Sequence, residues 1–300
     1  MILPKPSDFL VTGYSPAARL RIVFVDTTDS ARALEQSHLC GPSAGLALAE
    51  ALAGVSLLGA DLNGSDETVM LRAMVSGPLK GWLTEAAADG GLRGYTMTKV
   101  VNELDVMDEI DLDAVLGDNG RINIIQTAPG RIISQALFDI SPVSSRAALE
   151  EYYRCSQQRH VMVQVAALSY DGYIVISRGV MVEVMPDSDK EVFAEMCRLD
   201  EDGTALESLE TCLTPQEWCR TMGLDDVRFD EPKPLLFKCR CSMERVESVI
   251  AALSVEELQE MACKGEESQI FCHMCGKGYQ ITPTQIEELI ALRGDTKGSK

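Results

Sequence analysis

A chain of 300 residues with 46% hydrophobic and 24% charged side chains has an ordinary globular composition and can bury a main core plus smaller parts. Its 46 acidic and 27 basic residues give a net charge of −19, a surface that repels phosphate backbones, so nucleic acid is not an expected partner. Aromatic residues make up only 5%, which predicts an aliphatic core.

The opening stretch, Met-Ile-Leu-Pro-Lys-Pro-Ser-Asp-Phe-Leu, has no basic run followed by an apolar run, so no secretory signal is expected. Residues 21–26 (Arg-Ile-Val-Phe-Val-Asp) read as a strand, and a helical stretch follows over 30–58. It breaks near Gly41-Pro42, where proline cannot continue a helix interior. The apolar run 44–60 carries Glu50 and is rich in Ala and Gly. It is too short and too weakly apolar for a membrane span, and reads as a buried helix.

Residues 67–75 alternate as a half-buried strand does, with Val69, Leu71, Ala73 and Val75 on one face. Another strand begins within 77–83, and Asp89-Gly90-Gly91 supplies the hairpin turn into the next. A strand pair is expected over 121–126 and 131–138, a helix over 145–156, and strands over 161–168 and 173–177 around Asp171-Gly172. Residues 1–186 therefore read as one α+β core domain.

From 187 to 231 the composition shifts to 14 acidic and 4 basic residues. Val192, Met196, Leu199, Leu206 and Leu209 keep near-helical spacing. Such helices have little apolar surface and repel one another, so this segment reads as a metastable acidic linker. Residues 232–300 read as a small separate domain. Met243, Val246, Ile250 and Leu253 recur at helical spacing, Ser254 and Glu257 form a capping box, and Thr282-Pro283 opens a third helix. Such a domain is too small to stand on its apolar core alone, and a metal would supply the missing stability.

The ten cysteines in a chain with no expected export signal point away from a disulfide framework and towards metal or redox chemistry in the cytoplasm. Cys239-Arg-Cys241 and Cys272-His-Met-Cys275 offer four thiolates, a complete tetrahedral shell for one zinc ion. A closed shell leaves no position for a reactive water. Gly276-Lys-Gly278 after the second pair is typical of a knuckle. Such sites are most often structural clips. Two features favour a redox-sensitive one. Lys238, Arg240, His273 and Lys277 flank the ligands and favour thiolates, and the acidic linker directly precedes them.

His273 is a weaker candidate ligand than a fourth thiolate. Cys40 and Cys155 are expected to be buried small hydrophobes. Cys197, Cys212, Cys219 and Cys263 have spacings that demand no role. His38 and His160 form no recognisable catalytic constellation, and Trp82 and Tyr95 read as core or sheet residues. No phosphate-binding loop or nucleophile elbow is visible, and no enzymatic activity is expected.

Cys-x-Cys, about thirty residues, then Cys-x-x-Cys near the C-terminus resembles the redox-regulated 33-kDa heat-shock protein family. Gly77-Pro78-Leu79, Gly91-Leu-Arg93-Gly94-Tyr95, Tyr153-Arg-Cys-Ser156-Gln157-Gln158 and Gly179-Val-Met-Val-Glu183-Val-Met-Pro186 are similar to further blocks of that family. The resemblance spans nearly the whole chain. The chain departs from the family pattern at Gln157, Glu183 and Arg178.

The resemblance implies an ATP-independent holdase that is inactive when reduced and zinc-bound. Oxidation would form Cys239–Cys241 and Cys272–Cys275, expel zinc, unfold the linker and expose apolar surface to unfolding clients, usually with homodimerisation. Two other readings remain: a constitutive protein-binding module with a structural zinc, and a thiol–disulfide oxidoreductase using Cys272 and Cys275. The second lacks the expected strand–turn–helix context. A nucleic-acid-binding zinc module is disfavoured by 7 basic against 10 acidic residues over 239–300.

Overall fold

The computed structural model describes residues 7–107 and 109–296, with 292–296 described by backbone alone. The opening residues 1–6, part of the stretch read above for a secretory signal, lie outside the described residues. The fold is mixed α+β, and its internal contacts divide the chain into two units, Met1–Lys238 and Cys239–Lys300.

In chain order the first unit holds β1 (Phe9–Ser15), β2 (Leu20–Asp26), α1 (Thr28–His38), α2 (Pro42–Leu58), β3 (Thr68–Val75), β4 (Gly81–Ala87) and β5 (Gly91–Thr96). There follow α3 (Leu112–Leu116), β6 (Gly120–Ala128), β7 (Arg131–Ile140), α4 (Ser145–Tyr152), β8 (Val161–Tyr170) and β9 (Tyr173–Val184). The acidic segment forms α5 (Lys190–Glu201), α6 (Thr204–Thr211) and α7 (Pro215–Thr221), and three short strands close the unit: β10 (Arg228–Phe229), β11 (Lys233–Pro234) and β12 (Leu236–Phe237).

Two sheets result. The first runs β10-β1-β2-β9-β8 with β11 also on β1, and the second runs β12-β5-β4-β3-β6-β7. Helix α2 packs against strands of both. That position follows from its sequence, because a helix apolar on every side must be buried on every side. Pro42 starts it at the tolerated first position, and the Asp105 carboxylate accepts the Ser43 N–H at 2.8 Å. The helix is long and apolar enough to cross a membrane, but 83% of that window is buried inside the fold. Glu50, its one charged residue, is half-buried, and burial pushes its carboxyl upward although the Ser145 N–H donates to it.

The alternation read in β3 is realised, with Val69, Leu71, Ala73 and Val75 all buried. The helix read over 145–156 instead ends at Tyr152, and a π turn carries the chain over Tyr153–Gln157. β1 and β10–β12 are elements the sequence reading did not contain.

The other face of the first sheet carries Val11, Leu20, Ile22, Phe24, Val180 and Val182. Over it lie α5–α7, which bury Met196, Ala205, Leu209, Cys212, Trp218 and Cys219. Trp218 is fully buried, and its indole N–H donates to the Ala205 carbonyl at 3.1 Å. Asp200 of α5 is held by Arg146 of α4, at 2.5 Å, and by the Gln164 amide of β8. Two of the three helices have a side-chain cap: Asp189 and Thr214 cap α5 and α7 with side-chain oxygens.

The residues after Pro232, read from sequence as the start of the small domain, pair with the first unit. β11 pairs with β1, β12 runs parallel to β5, and the Lys238 N–H donates to Leu92 O at 2.9 Å. The second unit begins at Cys239. It contains α8 (Met243–Ile250), α9 (Val255–Cys263), the β13–β14 hairpin (Ser268–Phe271 and Gly278–Ile281) and α10 (Pro283–Thr296). Its apolar core among the described residues is Ile250, Leu258, Ile281 and Ile286, edged by partly buried Met243, Val246, Met261 and Leu289.

Candidate metal centre

The β13–β14 register pairs Phe271 with Gly278, so Cys272 to Lys277 must turn the chain within one tight loop. Backbone bonds close it. Cys272 N–H donates to Lys277 O at 2.9 Å, and Gly276 N–H donates to Cys272 O at 2.8 Å. Gly276 takes φ +70°, a left-handed conformation that a residue without Cβ adopts freely. The loop thus brings Cys272 and Cys275 together. Cys239 and Cys241 come from the segment before α8, where Ser242 caps the helix and the Arg245 guanidinium donates to Arg240 O at 2.8 Å.

The four sulfurs lie within 4.8 Å of one another. Cys239 Sγ is 3.8 Å from Cys272 Sγ, and Cys241 Sγ is 3.5 Å from Cys275 Sγ. A tetrahedral ion with metal–sulfur bonds of about 2.3 Å requires sulfur–sulfur edges of about 3.8 Å. The donor set and its spacing therefore fit a zinc-like tetrathiolate ion. Among the described residues this is the only group of His, Cys, Asp or Glu brought close enough to hold a metal. His273 is exposed and outside it.

Tyr279, on β14, donates its phenolic O–H to Cys241 Sγ at 3.0 Å. Burial opposes ionisation of Cys241, but the hydrogen bonds from Tyr279 and from Cys275, Cys239 and Cys272 outweigh it and bring the thiol to about 7. Burial pushes Cys275 and Cys272 upward, and hydrogen bonding to Cys241 raises the Tyr279 phenol. One thiolate forms readily and then opposes the next. A divalent cation removes that conflict by neutralising charge as the remaining protons leave. The influences that lower the Cys241 thiol most are thus hydrogen bonds, with Arg240, His273 and Lys277 not among them. Lys277 lies instead 5.0 Å over the Tyr279 ring.

The remaining thiols divide by location. Cys155, expected to be buried, is exposed in the π turn, where its S–H donates to Glu151 at 3.0 Å. Cys40 is partly buried against the main core, and burial pushes its thiol up to about 11. Cys212 and Cys219 are buried beneath the acidic helices, Cys219 pushed up to about 12 by burial. Cys197 is partly buried and Cys263 exposed. His38 is buried with its ring nitrogen 2.9 Å from Gly94 O, while His160 is exposed. Trp82 is buried in the core, and Tyr95 lies half-buried in β5.

A family model described as Hsp33 protein matches residues 8–282. The 33 kDa chaperonin of Geobacillus sp. (strain WCH70) is 27% identical over 290 residues, covering 95% of this chain and 98% of that protein. The 33 kDa chaperonin of Bacillus cereus (strain AH187) is 28% identical over 291 residues, covering 94% and 98%. The crystal structure of the 33 kDa chaperonin (heat shock protein 33 homolog) from Thermotoga maritima superposes with a TM-score of 0.83 at 19% identity, covering 96% of this chain and 99% of that one. At that identity the superposition speaks for the fold.

Proposed function

Because this chain belongs to the Hsp33 family, whose relatives are named 33 kDa chaperonins, we propose that it is an ATP-independent holdase switched on by oxidation. In the reduced state Cys239, Cys241, Cys272 and Cys275 hold one zinc ion, and α5–α7 cover the first sheet. Bound zinc supplies the compensating charge and the cross-link that the small second unit needs. Hypochlorous acid takes two electrons from each of two thiolate pairs, Cys239 with Cys241 and Cys272 with Cys275. Each pair gains an S–S bond, and each oxidant molecule leaves as chloride and hydroxide. Disulfide sulfurs no longer carry the charge that retains a divalent cation.

The second unit then loses its support. Cys239 directly follows Lys238, whose backbone is paired to β5, so disorder beginning at Cys239 pulls on β12, β11 and the acidic helices before them. Residues 187–231 leave the sheet, and residues 1–186 present apolar surface to unfolding clients and associate as a homodimer. Residues 232–300 act as the switch, and the setting is the cytoplasm, where thiols are otherwise kept reduced.

The observation that carries this reading is the apolar sheet face under α5–α7. It is covered by a segment with 14 acidic and 4 basic residues. Such a cover gains solvation and relieves self-repulsion on leaving.

A second reading, constitutive client binding with a purely structural zinc, draws support from the small core of the second unit. An oxidoreductase is less well supported, since Cys272 and Cys275 lie in a hairpin turn and not at a helix N-terminus that would activate a thiol. Disulfide mapping by mass spectrometry alongside a zinc-release assay separates these. Hypochlorite at modest excess is expected to release the metal and form the two named disulfides, Cys272–Cys275 first, because the longer spacing closes with less strain. Retained zinc and free thiols would favour the structural reading.

A further inference from the structure

We propose that Arg178 is the latch that holds the acidic helices on the sheet and so sets how readily the fold opens. This rests on the reading that release of α5–α7 is the activating step. Arg178 lies on β9 with its side chain only 18% exposed. Its Nε donates to Asp26 Oδ2 at 2.9 Å. Nη1 donates to three carbonyls at the end of α6: Cys212 O at 2.8 Å, Leu209 O at 3.2 Å and Glu210 O at 3.4 Å. The guanidinium therefore joins a fixed carboxylate of the core to the C-terminal turn of a linker helix.

The arrangement has a physical cause on both sides. The last carbonyls of a helix lack intrahelical partners and carry the negative end of its dipole, so a cation there is favourable. α6 has no basic residue in its own last turn, and the sheet provides one. Asp26 is itself fixed, because its other oxygen accepts the Thr28 N–H at 3.1 Å and the Thr28 hydroxyl at 2.7 Å. A rigid anchor makes the guanidinium a directed donor that loses little freedom on docking.

Other ties hold neighbouring elements: Asp200 ties α5 to Arg146 and Gln164, and Trp218 seats α7 by apolar contact. The Arg178 clamp sits at the joint between α6 and α7, where Cys212 ends one helix and Thr214 caps the next. Breaking it frees three carbonyls and a partly buried cation at once, so the joint opens as a unit.

The test uses the full chain, reduced and zinc-loaded, with Arg178→Gln and Arg178→Lys. Amide hydrogen exchange over 204–221 is expected to be roughly tenfold faster or more in Arg178→Gln, as loss of charge-assisted bonds requires, with α2 as protected as in the parent. Arg178→Lys should fall between, because an ammonium lacks the planar fork that reaches several acceptors. Onset of chaperone activity after hypochlorite should also come sooner in Arg178→Gln. Unchanged exchange over 204–221, or equal acceleration there and in α2, would overturn the latch. The exchange contrast does not depend on client binding, so it separates failure of the latch from failure of the chaperone reading.

Discussion

Tyr279 holds the key position around the candidate metal centre, because its O–H bonds Cys241 Sγ at 3.0 Å and stabilises the thiolate that forms first. Groups that orient a ligand in this way typically alter metal affinity 10- to 100-fold. Tyr279→Phe, which keeps the ring and its packing, is expected to weaken zinc binding by about tenfold or more, measured by competition with a chromogenic chelator. An unchanged affinity would show that the phenol only fills space. The Cys241 shift also has a definite sign. Its thiol is depressed to about 7, so its stabilising contribution is present above the ordinary thiol value and is lost as pH falls through about 7. In the metal-free protein the ultraviolet thiolate absorbance should therefore make its first rise near pH 7, and Cys241→Ser should remove that rise. The four cysteines that the structure brings together were legible from spacing alone, because Cys-x-Cys and Cys-x-x-Cys are local patterns. Tyr279 was not legible, since its role depends on the hairpin register that turns it towards a sulfur 38 residues earlier.

Among the elements, α7 offers the most direct handle on docking. Trp218 is fully buried against the first sheet, and truncating a buried tryptophan costs about 3–5 kcal/mol. Trp218→Ala should loosen the acidic helices without any oxidant. Limited proteolysis of the reduced, zinc-loaded protein is expected to cut within 190–221 in the variant and not in the parent; an identical pattern would mean that the other ties suffice. Much of this layer could be read in advance. Val192, Met196, Leu199, Leu206 and Leu209 marked helices, the Gly41-Pro42 break separated α1 from α2, and the alternation in β3 fixed its buried face. The sheet that receives α5–α7 could not be read, because it combines β1, β2, β8 and β9 from distant parts of the chain. β10–β12 are two residues each, too short for any periodicity, and exist only because β1 and β5 offer edges to pair with. The acidic segment was read as marginal on its charge, but Arg146 and Arg178 supply cations from outside it.

At the scale of the whole chain, one unit has a large aliphatic core and the other has a core cluster of four buried apolar residues among those described. Stability should be divided just as unequally. Chelating the metal under reducing conditions is expected to raise amide exchange throughout α8, α9 and α10 while α2 stays protected. Equal protection with and without metal would mean that the second unit stands on its own packing. The central claim is that oxidation turns a covered apolar sheet into a client-binding surface. Light scattering of a thermally unfolding client tests it most directly, with this protein either reduced and zinc-loaded or oxidised by hypochlorite. Suppression of aggregation by the oxidised form alone is the expected result; equal suppression by both forms, or by neither, would contradict it.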